Sequence, residues 1–342
     1  MASRVLCFGE LLLRLGAPGR EPLLQTRQLQ VHVGGAEANV AVSLARFGHA
    51  SAMVGTVADN ALGEAALGEL RRYGVDVGRV RRAPGRMGLY FLATGAGVRP
   101  SDVVYDRADS AFARAEPATY HWPALLDEID CLHVSGVTAA VGPHGAEAAT
   151  AALRAARASG ARVSFDGNFR PKLWAAWNDT PAPLLHGLLA EADIAFIDHR
   201  DIDLVLGADA SETGAHASAE RTLQASARAF AAFPHLQRIA CTQRTVHSVD
   251  RHALGALLVR RDGSAQRLEP LPVDGIVDRI GGGDAFAAGV LHGLLHEMDD
   301  ARTLAFGLAA ARLKHSMPGD FNLVGLEEVT ALVDSGSFDV RR

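Results

Sequence analysis

Hydrophobic positions along this chain fall into short runs that alternate with amphipathic stretches. Residues 4–8 form a brief, β-rich run ending in Gly9-Glu10, the pattern of a buried strand that opens a sheet. Gly34-Gly35 leads into a stretch with Val40, Leu44 and Phe47 on one helical face, closed by Gly48 as a C-cap. Residues 51–57 read as another strand and 62–72 as a helix stopped by Gly74. Farther on, strands at 132–137, 162–166, 194–197 and 238–242 are separated by helices at 145–158, near 184–189, and at 217–233. Strands alternating with helices of that length predict a mostly parallel sheet covered on both faces.

The rhythm breaks twice. Between residues 84 and 111, strands at 89–92 and 103–105 are separated by Gly95, Gly97 and Pro100, with no helix between them. Together with the early segment, this insertion predicts a small β lid built from roughly 11–33 and 86–109. The final third holds a hairpin, 254–260 with 264–268, turned by Asp262-Gly263. A strand-like stretch at 275–280 follows, then helices starting near Asp284, Ala301 and Gly325. No fixed repeat occurs, and the 342 residues are expected to form one α/β domain over 1–342 with the lid as its appendage.

Composition narrows the function. With 48% hydrophobic and 21% charged residues, the chain can bury a core and is not largely disordered. A net charge of −5 without a basic run argues against nucleic acid. Cys7, Cys131 and Cys241 are too scattered for a disulfide or metal framework and are expected to be buried small hydrophobes. Glu10 and Arg14 interrupt the first apolar stretch before it reaches the length of a signal or membrane span, so a cytoplasmic location is expected. Lysine occurs only at Lys172 and Lys314, neither in a Gly-Lys-Ser/Thr context, which excludes a P-loop phosphotransferase. The G-x-G-x-x-G spacing of dinucleotide-dependent oxidoreductases is absent as well.

The strongest chemical signal is Gly281-Gly282-Gly283-Asp284, placed just before a helix. Three glycines there let backbone N–H groups converge on an anion without Cβ obstruction, and the helix dipole adds positive potential. Asp284 in the first turn can accept a hydroxyl proton while those N–H groups neutralise a transferring phosphoryl group. An aspartate N-cap on a tight turn is the plain structural alternative. Gly34-Gly35-Ala36-Glu37-Ala38-Asn39 also opens a helix and offers a second close approach of backbone to ligand, or a simple strand-to-helix turn. His292 and His296 stand at i,i+4 with Glu297 adjacent, but no third metal ligand is evident nearby and a structural or surface role is expected.

The pair of motifs at 34–48 and 277–289 resembles the two signatures of the ribokinase-like, PfkB-type sugar kinases, in the right order across nearly the whole chain. Five separated stretches are similar to the 2-dehydro-3-deoxygluconate kinases within that family: 87–91, 104–107, 166–170, 278–284 and 315–322. The resemblance implies a central α/β domain whose substrate is covered by a β lid, with phosphate passed from ATP and Mg2+ to the terminal hydroxyl of 2-dehydro-3-deoxygluconate. It implies Asp284 as the base and Gly281, Gly282 and Gly283 as the anion hole. It further implies Gly34, Gly35 and Asn39 on sugar hydroxyls, with Tyr90, Tyr105, Arg107, Arg170 and Asp320 around the sugar acid. Asn168, Thr242, Arg244 and Ser248 would face ATP. Many members carry an Asn-x-x-Glu motif where this chain has Asp198-His199-Arg200-Asp201; Asp201 keeps the charge on a shorter arm, reaching magnesium through water. Two arginines at a site suit a carboxylate, whereas a neutral sugar needs no such charge. A neutral sugar such as fructose, or a non-catalytic sugar-binding role on the same fold, are the competing readings. Exposed lid strands predict a dimer or higher homo-oligomer. The gluconate or galactonate stereochemistry and dependence on a monovalent cation stay open.

Overall fold

The computed structural model describes residues 3–25, 27–208 and 218–335. Strand β1 (Arg4–Phe8) is followed by β2 (Leu12–Gly16), β3 (Gln30–Gly34), β4 (Ala50–Ala58), β5 (Val80–Ala83), β6 (Gly88–Ala93) and β7 (Asp102–Asp106). Then come β8 (Cys131–Ser135), β9 (Arg162–Asp166), β10 (Ile194–Phe196), β11 (Arg238–Ser248), β12 (Arg251–Arg260) and β13 (Ala265–Asp274). Among the described residues, nine strands form one sheet in the order β13-β12-β11-β10-β9-β8-β1-β4-β5. All its pairings from β11 to β5 are parallel, and the β11-β12-β13 edge is antiparallel.

Apolar side chains of the central strands split between two buried layers, as a sheet covered on both faces requires. In β1, Val5 and Cys7 face one layer while Leu6 and Phe8 face the other. The first layer packs helices Ala36–Arg46, Gly282–Leu295 and Asp300–Lys314, and the second packs Pro143–Ser159, Ala182–Leu189 and Ser218–Ala232. Ala217, the expected start of the last of these, lies outside the described residues. All three cysteines are buried and free.

A second sheet has the order β3-β2-β6-β7; β2 and β6 are parallel, and the outer pairs are antiparallel. Its β6-β7 pair comes from the helix-free insertion. Among the described residues no helix is long and apolar enough to cross a membrane.

Three of the boundaries that differ from expectation have a clear local reason. Strand β8 stops at Ser135 because its hydroxyl accepts the Val137 N–H and caps a short helix, Gly136–Ala140. Strand β11 continues to Ser248 because its partner β12 stays paired antiparallel that far, with a register shift between Val246 and Ser248. The stretch 275–280 is not a strand. Gly275 turns the chain at φ 66°, Asp278 Oδ1 accepts the Ile280 N–H at 3.0 Å, and the Val277 N–H donates to His315 O at 2.9 Å. Those hydrogen bonds take the place of a sheet ladder.

Candidate active site

A cleft of about 1020 Å³ lies between the small sheet and the C-terminal ends of β9, β10 and β11. Tyr90, Val103 and Tyr105 of the small sheet line it on one side. Asp166 at the end of β9, Asp198 just beyond β10 and Thr242 midway along β11 line it on the other. Open α/β sheets place ligands at this edge because helix N-termini and connecting loops converge there.

Two helices begin in the cleft. Gly281, at φ 80°, is the N-cap of Gly282–Leu295, and Gly283 in the first turn meets no atom within 4 Å of where a Cβ would stand. The three glycines do different jobs. A side chain on Gly281 would collide with the Asp320 carbonyl, and one on Gly282 would come 2.8 Å from the His315 ring, whereas Gly283 leaves the helix end open to a ligand. Beneath Gly281 lies buried Lys314, whose ammonium donates to Met317 O at 3.2 Å. Helix Ala36–Arg46 starts after Gly35, whose φ of 147° a side chain would strain.

The two helices meet through their functional side chains. Asn39 Nδ2 donates to Asp284 Oδ2 at 2.6 Å, while Asn39 Oδ1 is buried with no protein partner. Burial lifts the Asp284 carboxyl to about 6, against the pull of Asn39, Arg170 and Lys314 toward the charged form. Such a group takes a proton readily yet is ionised at neutral pH.

Two blocks of charge share the cleft. Burial, then repulsion by Asp284 and Asp201, holds the Asp166 carboxyl well above the usual range. Burial and Asp198 raise Asp201 to about 6. This acidic floor fits a divalent cation held through water, although Asp201 Oδ2 is also engaged by the Asp198 N–H at 3.0 Å as a capping box. The cleft is also lined by Arg170, Arg200, Arg244 and Arg279. Arg200 pairs with Asp198 at 2.6 Å, but the Arg244 and Arg279 side chains have no protein partner among the described residues. Burial, then repulsion by Arg279, Arg200 and Arg170, pushes Arg244 below its ordinary pKa. Clustered guanidinium groups without counter-ions beside a helix N-terminus suit a polyphosphate.

Most residues singled out from the sequence converge on this cleft: Gly35, Asn39, Tyr90, Tyr105, Arg107, Asn168, Arg170, Asp201, Thr242, Arg244, Gly281, Gly282, Gly283, Asp284 and Asp320. Two do not line it. Gly34 packs against the Asp320 carboxylate, and Ser248 donates to Asp250 at 2.9 Å. Asn168 holds a left-handed φ of 39°, fixed by the Asp166 carboxylate and by its own bond to Ser135 Oγ at 3.0 Å.

Arg107 is 6% exposed and its Nε donates to Glu10 Oε2 at 2.6 Å, while its terminal nitrogens have no protein partner among the described residues. Asp320, 3% exposed, accepts the Tyr90 hydroxyl at 2.6 Å and lies 3.1 Å from Arg14, which also binds Asp278 at 2.6 Å. Sequence reading missed Glu10, Arg14, Asp166, Arg200 and Arg279 as members of the site or its support. Asp166 and Arg279 lay inside stretches already noted, so their charges were the available signal; Glu10 and Arg14 looked only like breaks in an apolar run.

Residues 2–322 match the pfkB family of carbohydrate kinases. A 2-dehydro-3-deoxygalactonokinase of Haloferax volcanii is 30% identical over 348 aligned positions, covering all of both chains. A 2-dehydro-3-deoxygluconokinase of Bacillus subtilis is 29% identical, over 92% of this chain and 90% of its own. The solved structure of a 2-dehydro-3-deoxygluconokinase from Thermotoga maritima superposes with a TM-score of 0.90 at 32% identity, covering 98% of this chain and 99% of that one. With a glycine-capped helix and a buried carboxylate in the cleft, and this match along nearly the whole length, the chain belongs to the pfkB family and is a carbohydrate kinase.

Proposed function

We propose that the protein transfers phosphate from ATP to the terminal (6-) hydroxyl of 2-dehydro-3-deoxy-D-gluconate, giving 2-dehydro-3-deoxy-6-phosphogluconate. The observation that carries the sugar-acid reading is Arg107. Its Nε is bound to buried Glu10, so its unpartnered terminal nitrogens are held rigidly at the cleft wall, where a carboxylate can take them. Arg170, whose Nη1 reaches only the neighbouring Phe169 O at 3.2 Å, supplies a second fork.

In this reading Asp284 accepts the proton of the 6-hydroxyl as its oxygen bonds the γ-phosphorus and the bond to the β-phosphate oxygen breaks, releasing ADP. Asn39 holds the Asp284 carboxylate in place and offers its free Oδ1 to a sugar hydroxyl. Backbone N–H groups at Gly282 and Gly283, with Arg244 and Arg279, gather the charge of the transferring phosphoryl. Magnesium, when bound with ATP, neutralises phosphate charge; Asp201 and Asp166 are the residues placed to orient its waters. Tyr90 and Tyr105 close the sugar side, with the small sheet acting as a lid that excludes water.

Parallel turnover assays on 2-dehydro-3-deoxygluconate, its galactonate epimer and fructose test this assignment. The full-length match to a 2-dehydro-3-deoxygalactonokinase favours the epimer as the second reading. Preference for fructose overturns the sugar-acid reading, and no turnover on any of the three favours a binding role. We also propose that subunits pair through the small sheet, where edge strand β3 carries exposed Val31 and β7 carries exposed Val104.

A further inference from the structure

Helix Gly282–Leu295 carries Asp284 in its first turn and His292 in its last, with His296 as its C-cap residue. His292 and His296 are four residues apart and share one side of the helix. A third imidazole arrives from the other end of the chain. After helix Ala36–Arg46, Gly48 turns the backbone at φ 91° and the His49 N–H bonds back to Leu44 O at 3.0 Å, which aims His49 at the pair. Among the described residues no carboxylate joins the cluster, and Glu297 is not part of it.

One ring nitrogen from each histidine lies within 4.8 Å of the other two, and His49 Nε2 and His292 Nδ1 are 3.0 Å apart. Bonds of about 2.0–2.1 Å to one tetrahedral ion would separate ligand nitrogens by roughly 3.3 Å, so the buried pair is already near coordination distance. His296 is solvent-exposed and its Nδ1 bonds His292 O at 3.1 Å, which leaves its other ring nitrogen with a free lone pair; a shift of this exposed ring would close the remaining gap. His49 is 5% exposed and its Nε2 shares one hydrogen bond with His292 Nδ1, a contact that an ion held between the two rings would replace, while its Nδ1 is buried with no hydrogen-bond partner. Phe306 stacks on His292 at 4.6 Å and Phe47 meets it edge-on at 5.5 Å, walling the cluster with apolar rings.

We propose that His49, His292 and His296 form a site for one zinc-class divalent ion, with a fourth position left to water. Three neutral imidazoles select such an ion over magnesium, so the site does not compete for the metal that accompanies ATP. The ion would clamp the far ends of the same two helices that Asn39 and Asp284 join in the cleft. Eight helical residues separate Asp284 from His292, which places the ion about 12 Å along the axis from the catalytic carboxylate.

The test uses the full-length, tag-free chain, stripped with chelator and titrated with Zn2+ and Co2+. One Zn2+ per chain should survive gel filtration, and one equivalent of Co2+ should give visible d–d bands that Zn2+ abolishes. At a hundredfold excess over Kd, Zn2+ should raise the melting midpoint by about 3 °C. His296→Gln, at an exposed position that spares the fold, should lose all three signals, and His296→Cys should restore them by supplying another ligand. Failure of the wild-type chain to hold Zn2+, or equal retention by His296→Gln, overturns the site and leaves a packed aromatic cluster.

Discussion

In the proposed reaction Asp284 concentrates the chemistry, and part of the pH-dependent instability of this molecule, in one carboxyl group. Asp284→Asn should cut turnover by about 10²–10⁴-fold while leaving substrate and nucleotide binding close to normal, as steady-state kinetics with binding isotherms will check; a near-normal rate would remove Asp284 as the base. Because the carboxyl sits near 6, kcat/KM should fall as pH drops below about 6. The linked stability effect runs the other way. The folded state binds this proton more tightly than the unfolded chain, whose ordinary value is 3.8, so through this group stability falls as pH rises from about 4 to 6. Asp284→Asn is therefore expected to melt no lower than wild type at pH 8. Arg107→Ala should raise KM for the sugar acid more than for a neutral analogue. It should also cost about 3–5 kcal/mol of stability, because Glu10 would be left buried without its cation.

Helix placement in the cleft depends on small residues at close crossings. Gly289 and Gly307 let Gly282–Leu295 and Asp300–Lys314 approach until a Cβ on Gly289 would stand 2.7 Å from the Gly307 Cα. Alanine at 289 gains about 1 kcal/mol of helix propensity, but backbone cannot yield to it and overpacking costs roughly 1–3 kcal/mol, so Gly289→Ala should lower the denaturation midpoint. Gly187, within Ala182–Leu189, has no neighbour within 4 Å of that position, so Gly187→Ala should raise the midpoint by the propensity gain alone. Equal shifts in the two variants would show that the crossing is looser than these distances imply.

At the level of the whole molecule, the small sheet both lines the cleft and carries the surface proposed for association. Arg14 of β2 reaches across to Asp278, just before the anion site, and to Asp320. This buried network ties the position of the sheet to the residues that precede Asp284. The same sheet presents Val31 at 59% exposure and Val104 at 47%, on strands that end it at either side. A dimer paired there should dissociate in Val31→Lys, measured by sedimentation velocity, and a wild-type monomer at micromolar concentration would sink the pairing.

Much of the architecture was readable from periodicity, because alternating helix and strand patterns report local geometry and the face each element buries. The glycines before Asp284 and at Gly34-Gly35 were legible as turns that open helices, although the close approach of Asp320 and His315, which also demands glycine at Gly34, Gly281 and Gly282, was not. Periodicity does not encode which distant faces meet. Asn39 finds Asp284 across 245 residues, Arg107 finds Glu10 across 97, and His49 finds His292 across 243. Nor did composition reveal that Arg244 and Arg279 would stand together without counter-ions, since charge pairing depends on what packing brings within a few ångströms. Chain order set the elements and the carboxylate proposed as the base; the partners that tune that carboxylate, and the third imidazole beside His292 and His296, exist only once the layers close.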